Sequence, residues 1–319
     1  MAVVLFILAV LAFLALYYLY QPAVAQQAKA NGTSSRREIK FFETSVFETL
    51  GLTVDQCKTF VSFVDRFANY SQVAEAVKHA GLDKSDIIVG IDFSASNEWQ
   101  GRKTYNAKCL HDTSSNKGFN PYQRVLSIIG ATMEQFDSDH LIPVYGFGDR
   151  ATKNDAVFSF KPNDKPCYGF VDVLDSYSKI CPTVTMSGPT SLAPLIKKAI
   201  EIVSTKRSYH ILLVITDGQL KNDLSTVDSI VEASNHPISI IVVGVGDGPW
   251  DDMENYDDNL PLRRFDNFQF VNFHQVCQKA KYAEAGFALN ALMEIPDQYK
   301  AICSLGYLKQ DLKPKSKEQ

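Results

Sequence analysis

Four continuous apolar runs, each closing on Gly or Asp, constrain this chain more than any other feature: "IIVGID" (87–92), "LIPVYGFG" (141–148), "HILLVITDG" (210–218) and "ISIIVVGVGDG" (238–248). A strand wetted on one face alternates apolar with polar residues. A run that is apolar throughout is covered on both faces, as in a parallel sheet lying between helices. Segments of helical length separate the runs at 121–136, 191–204 and 225–235. Strands alternating with such helices predict βαβ units, and so an α/β fold with a doubly wound, mostly parallel sheet flanked by helices. "FQFVNF" (268–273) reads as a final strand and "KAKYAEAGFALNALMEI" (279–295) as a closing helix. Ahead of the first strand, the spacing of Phe60, Phe63, Val64, Phe67, Val73 and Val77 predicts one or two amphipathic helices, stopped at Gly81.

The first segment differs in kind. "MAVVLFILAVLAFLALYYLY" (1–20) carries no charge, and the first charged side chain is Lys29. That length matches a hydrocarbon core, with Tyr17, Tyr18 and Tyr20 at the interface. The expected organisation is an N-terminal transmembrane helix as signal anchor (1–22), a polar linker (23–40), one α/β domain (41–308) and a polar tail (309–319). Lys29, Arg36, Arg37 and Lys40 all follow the apolar stretch, which places the domain in the cytoplasm, tethered to the membrane. The rival is a cleaved signal peptide ending at Ala23-Val24-Ala25 and a lumenal or secreted domain. The tripeptides Asn31-Gly32-Thr33 and Asn69-Tyr70-Ser71 would then be glycosylation acceptors.

Charge and motifs exclude several functions. The net charge is −4, and no basic run exceeds Arg36-Arg37, so no electrostatic footprint for nucleic acid exists. The six cysteines (57, 109, 167, 181, 277 and 303) are scattered without a C-x-x-C and read as reduced thiols. No G-x-G-x-x-G, Walker or G-x-S-x-G motif is present. The position two residues after Asp92 is Ser94, where an aspartyl-phosphate enzyme would need a second aspartate. His111, His140 and His274 lack a matching nucleophile motif and read as surface or strand-edge residues. The chain reads as non-enzymatic.

The ends of the runs carry the chemistry. Ligands of open α/β sheets bind beyond the carboxyl ends of the strands, where "DFSAS" places Asp92, Ser94 and Ser96. Alternate spacing sends one carboxylate and two hydroxyls to one side, a set suited to a small hard cation such as Mg²⁺. Further oxygens are offered by Thr190 in "SGPTSLAP" (187–194) and Asp217 in "ITDG" (215–218). A capped turn is the competing reading of Asp92, Ser94 and Ser96 taken alone. Asp149 in "GFGD" and Asp247 in "GVGDG" stand on the same rim, and read as turn formers before metal ligands.

D-x-S-x-S, a distant Thr in a G-P-T turn and a strand-terminal T-D-G together resemble the metal-ion-dependent adhesion site of von Willebrand factor A domains. "GIDFSASNEW", "NPYQRVLSIIG", "IPVYGFGD", "SIIVVGVGDGPW", "FDNFQFVNF" and "ALMEIPDQYKA" extend the likeness to the A domain of copines and of plant RING-type ubiquitin ligases, over roughly 41–308. The resemblance implies that Ser94 and Ser96 bind Mg²⁺ (or Mn²⁺ or Ca²⁺) directly, Thr190 directly or through water, and Asp92 and Asp217 largely through water. The remaining coordination position would take an acidic side chain from a protein partner. Three functions stay open: a membrane-tethered, metal-dependent scaffold or adaptor module; a non-RING component of a ubiquitin-ligase system; and a lumenal adhesion domain. Copines carry paired C2 domains ahead of the A domain, whereas 86 residues precede Ile87 here, and after Asn290 only Cys303 could serve a RING, so intrinsic ligase activity is not expected.

Overall fold

The computed structural model describes residues 42–114, 118–137, 139–218 and 223–308. From Thr44 onward they form one unit. Its centre is a six-stranded sheet built from β1 (Asp86–Asp92), β3 (Val144–Phe147), β4 (Phe158–Ser159), β6 (His210–Thr216), β7 (Ile238–Gly244) and β8 (Phe268–Asn272), in the order β4-β3-β1-β6-β7-β8. Every pairing is parallel except β3 with β4, which turns one edge antiparallel. A separate two-stranded ribbon joins β2 (Leu141–Ile142) to β5 (Cys167–Tyr168). The run 141–148 is thus two strands. Pro143 lacks the N–H that a continuous ladder needs, although its carbonyl still accepts from Val89 N at 2.9 Å.

Each residue of β6 and β7 is buried, which is why both read as unbroken apolar runs. On one face Ile88, Leu212, Val214, Ile240, Val242 and Phe268 pack with Leu195, Ile196, Ala199 and Ile230 of the helices Ala193–Lys206 and Leu224–Ala233. Gly90 faces the same way, where a Cβ would meet Leu195 Cδ2 at 2.2 Å; the helix sits that close only because β1 has no side chain there. The alternate strand residues point to the other side, towards the helices Tyr70–His79, Pro121–Met133 and Ala283–Leu292, which pack on one another.

Between 54 and 82, where one or two helices were expected, the chain forms three, Val54–Cys57, Phe60–Val64 and Tyr70–His79, and among the described residues Ser45–Thr49 precedes them. Thr53, Thr59 and Asn69 each accept a backbone N–H as N-cap, so the chain restarts a helix at every one of them. The helix expected over 279–295 is Ala283–Leu292, and two further helices flank it, Phe273–Lys279 before and Ile295–Ser304 after, the latter opening on Pro296.

One part of the expected fold class is corrected. Among the described residues no helix is long and apolar enough to cross a membrane. The longest, Ala193–Lys206, has 14 residues and carries charge, whereas a span needs about 20 apolar ones. The transmembrane helix is therefore not a feature of the fold described. The stretch 1–22 on which it was expected lies outside the described residues, as do the linker 23–40 and the tail 309–319.

Candidate metal centre

The chain leaves β1 towards β3 on one side, returns past it to β6 on the other, and continues to β7 and β8. The order reverses between β1 and β6, so a crevice opens at their carboxyl ends. Asp92 ends β1 and Asp217 follows β6; both are fully buried.

Thr216 Oγ1 donates to Asp92 Oδ2 at 2.6 Å and Ser94 N donates to Asp92 Oδ1 at 2.8 Å. The hydroxyls of Ser94 and Ser96 lie 3.0 Å apart. The segment around 187 is stitched alongside: Ser187 N donates to Phe93 O at 3.3 Å, and Ser187 O accepts from Ala95 N at 2.5 Å. A second bridge ties Met186 to Asp149. These bonds bring Thr190 in, and Gly148 marks where it arrives. A Cβ on Gly148 would sit 3.1 Å from Asp92 Oδ1 and 3.1 Å from Thr190 Oγ1. Asp92, Ser94, Ser96, Thr190 and Asp217 thus gather at one end of the sheet from three separate segments.

The electrostatics of this group suit a cation. Burial pushes the Asp92 carboxyl above the usual carboxylate range, while the hydroxyl of Thr216 and the backbone amides of Ser94 and Asp217 pull the other way. These are neutral dipoles and leave the charge uncompensated. Thr190 Oγ1 is buried with no hydrogen-bond partner, a cost of about 1–3 kcal/mol unless a ligand takes it up. Oxygen-only donors, two of them buried carboxylates, fit a hard divalent ion.

The two rim aspartates are held elsewhere. Asp149 accepts from Ala151 N at 3.0 Å and Thr152 N at 3.0 Å, closing its own turn. Asp247 accepts from Lys103 N at 2.9 Å, Thr104 N at 2.9 Å and Thr104 Oγ1 at 2.8 Å.

Beneath the site lies a buried set that sequence reasoning missed. His111, expected at the surface or a strand edge, is buried. Its ring stacks between Phe93 and Tyr122, with centroids 4.6 and 4.1 Å away. Its Nε2 lies 2.8 Å from the Asp92 carbonyl and so must donate; its Nδ1 then accepts from Tyr177 OH at 2.7 Å. Tyr122 OH donates to Asn97 Oδ1 at 2.7 Å, its one proton shared more weakly with the Asp92 carbonyl at 3.1 Å, and Asn97 Nδ2 donates to Ser94 O at 3.0 Å. Burial, with the carboxylates of Asp92 and Asp217 nearby, raises the Tyr122 hydroxyl well above its ordinary value and keeps it a donor. A histidine far from any nucleophile motif gives no sign in sequence that it braces a backbone carbonyl.

The model of the Copine family matches residues 109–311. The chain belongs to the copine family. Its copine domain is 48% identical over 269 residues to the Arabidopsis thaliana protein named E3 ubiquitin-protein ligase RGLG5, covering 79% of this chain and 62% of that one. It is 49% identical over 249 residues to Copine family protein 2 of Caenorhabditis elegans, covering 77% of this chain. The chain spans only 62% and 3% of the lengths of these two relatives. Among solved structures it is similar to a von Willebrand factor type A protein from Catenulispora acidiphila, with TM-score 0.41 and 12% identity, covering 66% of this chain and 43% of that one. The likeness to copines and plant ligases read from the sequence is therefore one of family.

Proposed function

We propose that this copine domain is a divalent-metal-dependent protein-binding module of scaffold or adaptor type. The carrying observation is the convergence beside Gly148 of a buried carboxylate, Asp92, and a buried hydroxyl without a partner, Thr190 Oγ1. Ser94, Ser96 and Thr190 would supply neutral oxygens to Mg²⁺, Mn²⁺ or Ca²⁺, and Asp92 and Asp217 the negative charge. With its direct ligands neutral and the carboxylates acting largely through water, the ion would retain Lewis acidity, and an acidic side chain from a partner would complete its coordination.

Replacing Ser94 and Ser96 together with alanine removes two neutral oxygens and leaves both carboxylates. The fold should survive, ion binding should fall below detection, and partner binding should fall with it. Asp217→Asn keeps the shape and one oxygen but loses a charge, so it should weaken the ion about tenfold or more. Calorimetric titration with Mg²⁺ and Mn²⁺ measures both. Equal binding by wild type and the serine pair would show that "DFSAS" is only a capped turn.

A second reading, supported by the 48% identity to a named ubiquitin ligase, is that the domain acts within a ubiquitin-ligase system. What it would contribute there is recognition. A zinc cross-brace needs closely spaced Cys and His ligands. The six cysteines are free, and among the described residues the one group close enough to hold a metal through Cys, His, Asp or Glu is Asp86, Asp137 and Asp139. The purified chain, supplied with activating and conjugating enzymes, should therefore not autoubiquitinate. Activity that persists after co-purifying partners are stripped would refute this.

A further inference from the structure

The amino-terminal end of the same sheet carries another set of charged groups. Asp86 opens β1 and Asp92 closes it, so the two ends are about 20 Å apart at ~3.3 Å per residue. Across the β1–β6 pair Asp86 is in register with His210. Asp137 and Asp139 come from the connection between the helix Pro121–Met133 and β2, and one oxygen of each of the three acids lies within 4.8 Å of the others.

Acidic groups often cluster without an ion; His210 sets this one apart. Its side chain is wholly buried. Nδ1 lies 2.9 Å from the Ser208 carbonyl and must donate to it, which leaves Nε2 as a bare lone pair on a neutral ring. That Nε2 is buried, has no hydrogen-bond partner, and lies 3.5 Å from Asp86 Oδ2. A lone pair facing a carboxylate oxygen is repelled by it, and a cation placed against both reverses the sign. Burial holds the imidazole below its ordinary value, in the neutral form that binds metal.

We propose that the carboxylates of Asp86, Asp137 and Asp139 form a second divalent-cation site, separate from the one at the carboxyl ends of the strands, with His210 Nε2, held beside Asp86, as the nitrogen donor drawn in when an ion binds. A nitrogen donor among carboxylates prefers Zn²⁺ to Mg²⁺, so the two sites differ in the ion they select. Lys206 is the resident competitor. Its Nζ lies 3.2 Å from Asp139 Oδ2 and 3.8 Å from Asp86 Oδ2, on a side chain one-third exposed that can swing into water when an ion enters. Ser208 Oγ donates to Asp86 Oδ2 at 2.6 Å and fixes that carboxylate. An ion here would clasp the starts of β1 and β6 to the 137–139 connection.

The test is a titration of the full chain with Co²⁺, read by its visible absorption, and then with Zn²⁺ as displacing ion. In the Ser94→Ala, Ser96→Ala background one Co²⁺ per chain should still bind and be displaced by Zn²⁺. Asp137→Asn with Asp139→Asn should lower Zn²⁺ affinity about tenfold or more, since loss even of a supporting partner costs that much. Those asparagines keep the oxygens that accept from His140 N and Leu141 N, so the connection should stay folded. Lys206→Met should raise the affinity. If wild type takes up no Zn²⁺, if the asparagine pair binds it as well as wild type, or if uptake vanishes with the serine pair, the proposal fails and the cluster is an ion pair with Lys206. Failure of the metal centre at Asp92 is read separately, in the Mg²⁺ titration of wild type.

Discussion

Gly148→Ala should abolish Mg²⁺ binding while leaving a folded domain. Gly148 has φ +76°, in the left-handed region that favours glycine, so alanine there costs about 1–2 kcal/mol of backbone strain. Its methyl would stand 3.1 Å from both Asp92 Oδ1 and Thr190 Oγ1 and 3.3 Å from Ser94 N, filling the space between the ligands. Gly169→Ala separates the two effects. Gly169 has φ +67°, yet nothing lies within 4 Å of its added Cβ. It should lower the melting temperature comparably and leave the ion untouched. If Gly148→Ala binds Mg²⁺ like wild type, the ion is not held beside Asp92 and Thr190.

His111→Ala should damage the fold more than either glycine substitution, costing about 4 kcal/mol: a buried ring is replaced by a cavity, and the Asp92 carbonyl and Tyr177 hydroxyl each lose a partner. A pH signature identifies the cause. Burial lowers His111 from its ordinary 6.5 to about 4. The unfolded chain therefore takes up a proton that the folded chain refuses. The stability held above pH 6.5 should drain away as pH falls through 6.5 towards 4, by something on the order of 3 kcal/mol. Asp92, raised by burial, works in the opposite direction but is common to wild type and variant. Denaturant midpoints in chelator for wild type and His111→Gln, which does not titrate, should converge between pH 7 and pH 4.5. A constant gap between them would mean that His111 is not held neutral.

The strands were legible because burial on both faces writes itself as an apolar run, and β1, β6, β7 and β8 fall where those runs are. The edge was not. β4 and β5 are two residues each and leave no periodicity, and the helix Gly169–Ile180 beside them has no place among the expected elements. Pro143, plain in the sequence, is the signal that 141–148 divides. Asp92, Ser94, Ser96, Thr190 and Asp217 could be named because short motifs at strand ends carry them. Thr216 is the threonine of the strand-terminal T-D-G, but nothing in that motif marks its hydroxyl as the donor on Asp92 Oδ2. Gly148, His111, Tyr122 and Asn97 act through position in space alone, which no spacing along the chain encodes.

The bridges from Ser187 to Ser94 and from Met186 to Asp149 mean that the segment bearing Thr190 is laid down by main-chain bonds formed as the domain folds. Those bonds run from main chain to main chain and need no ligand in order to form. An incoming ion would find its donors preorganised and would lose little of its affinity to arranging them. Binding free energy that a looser loop would consume in becoming rigid is then available to hold the partner.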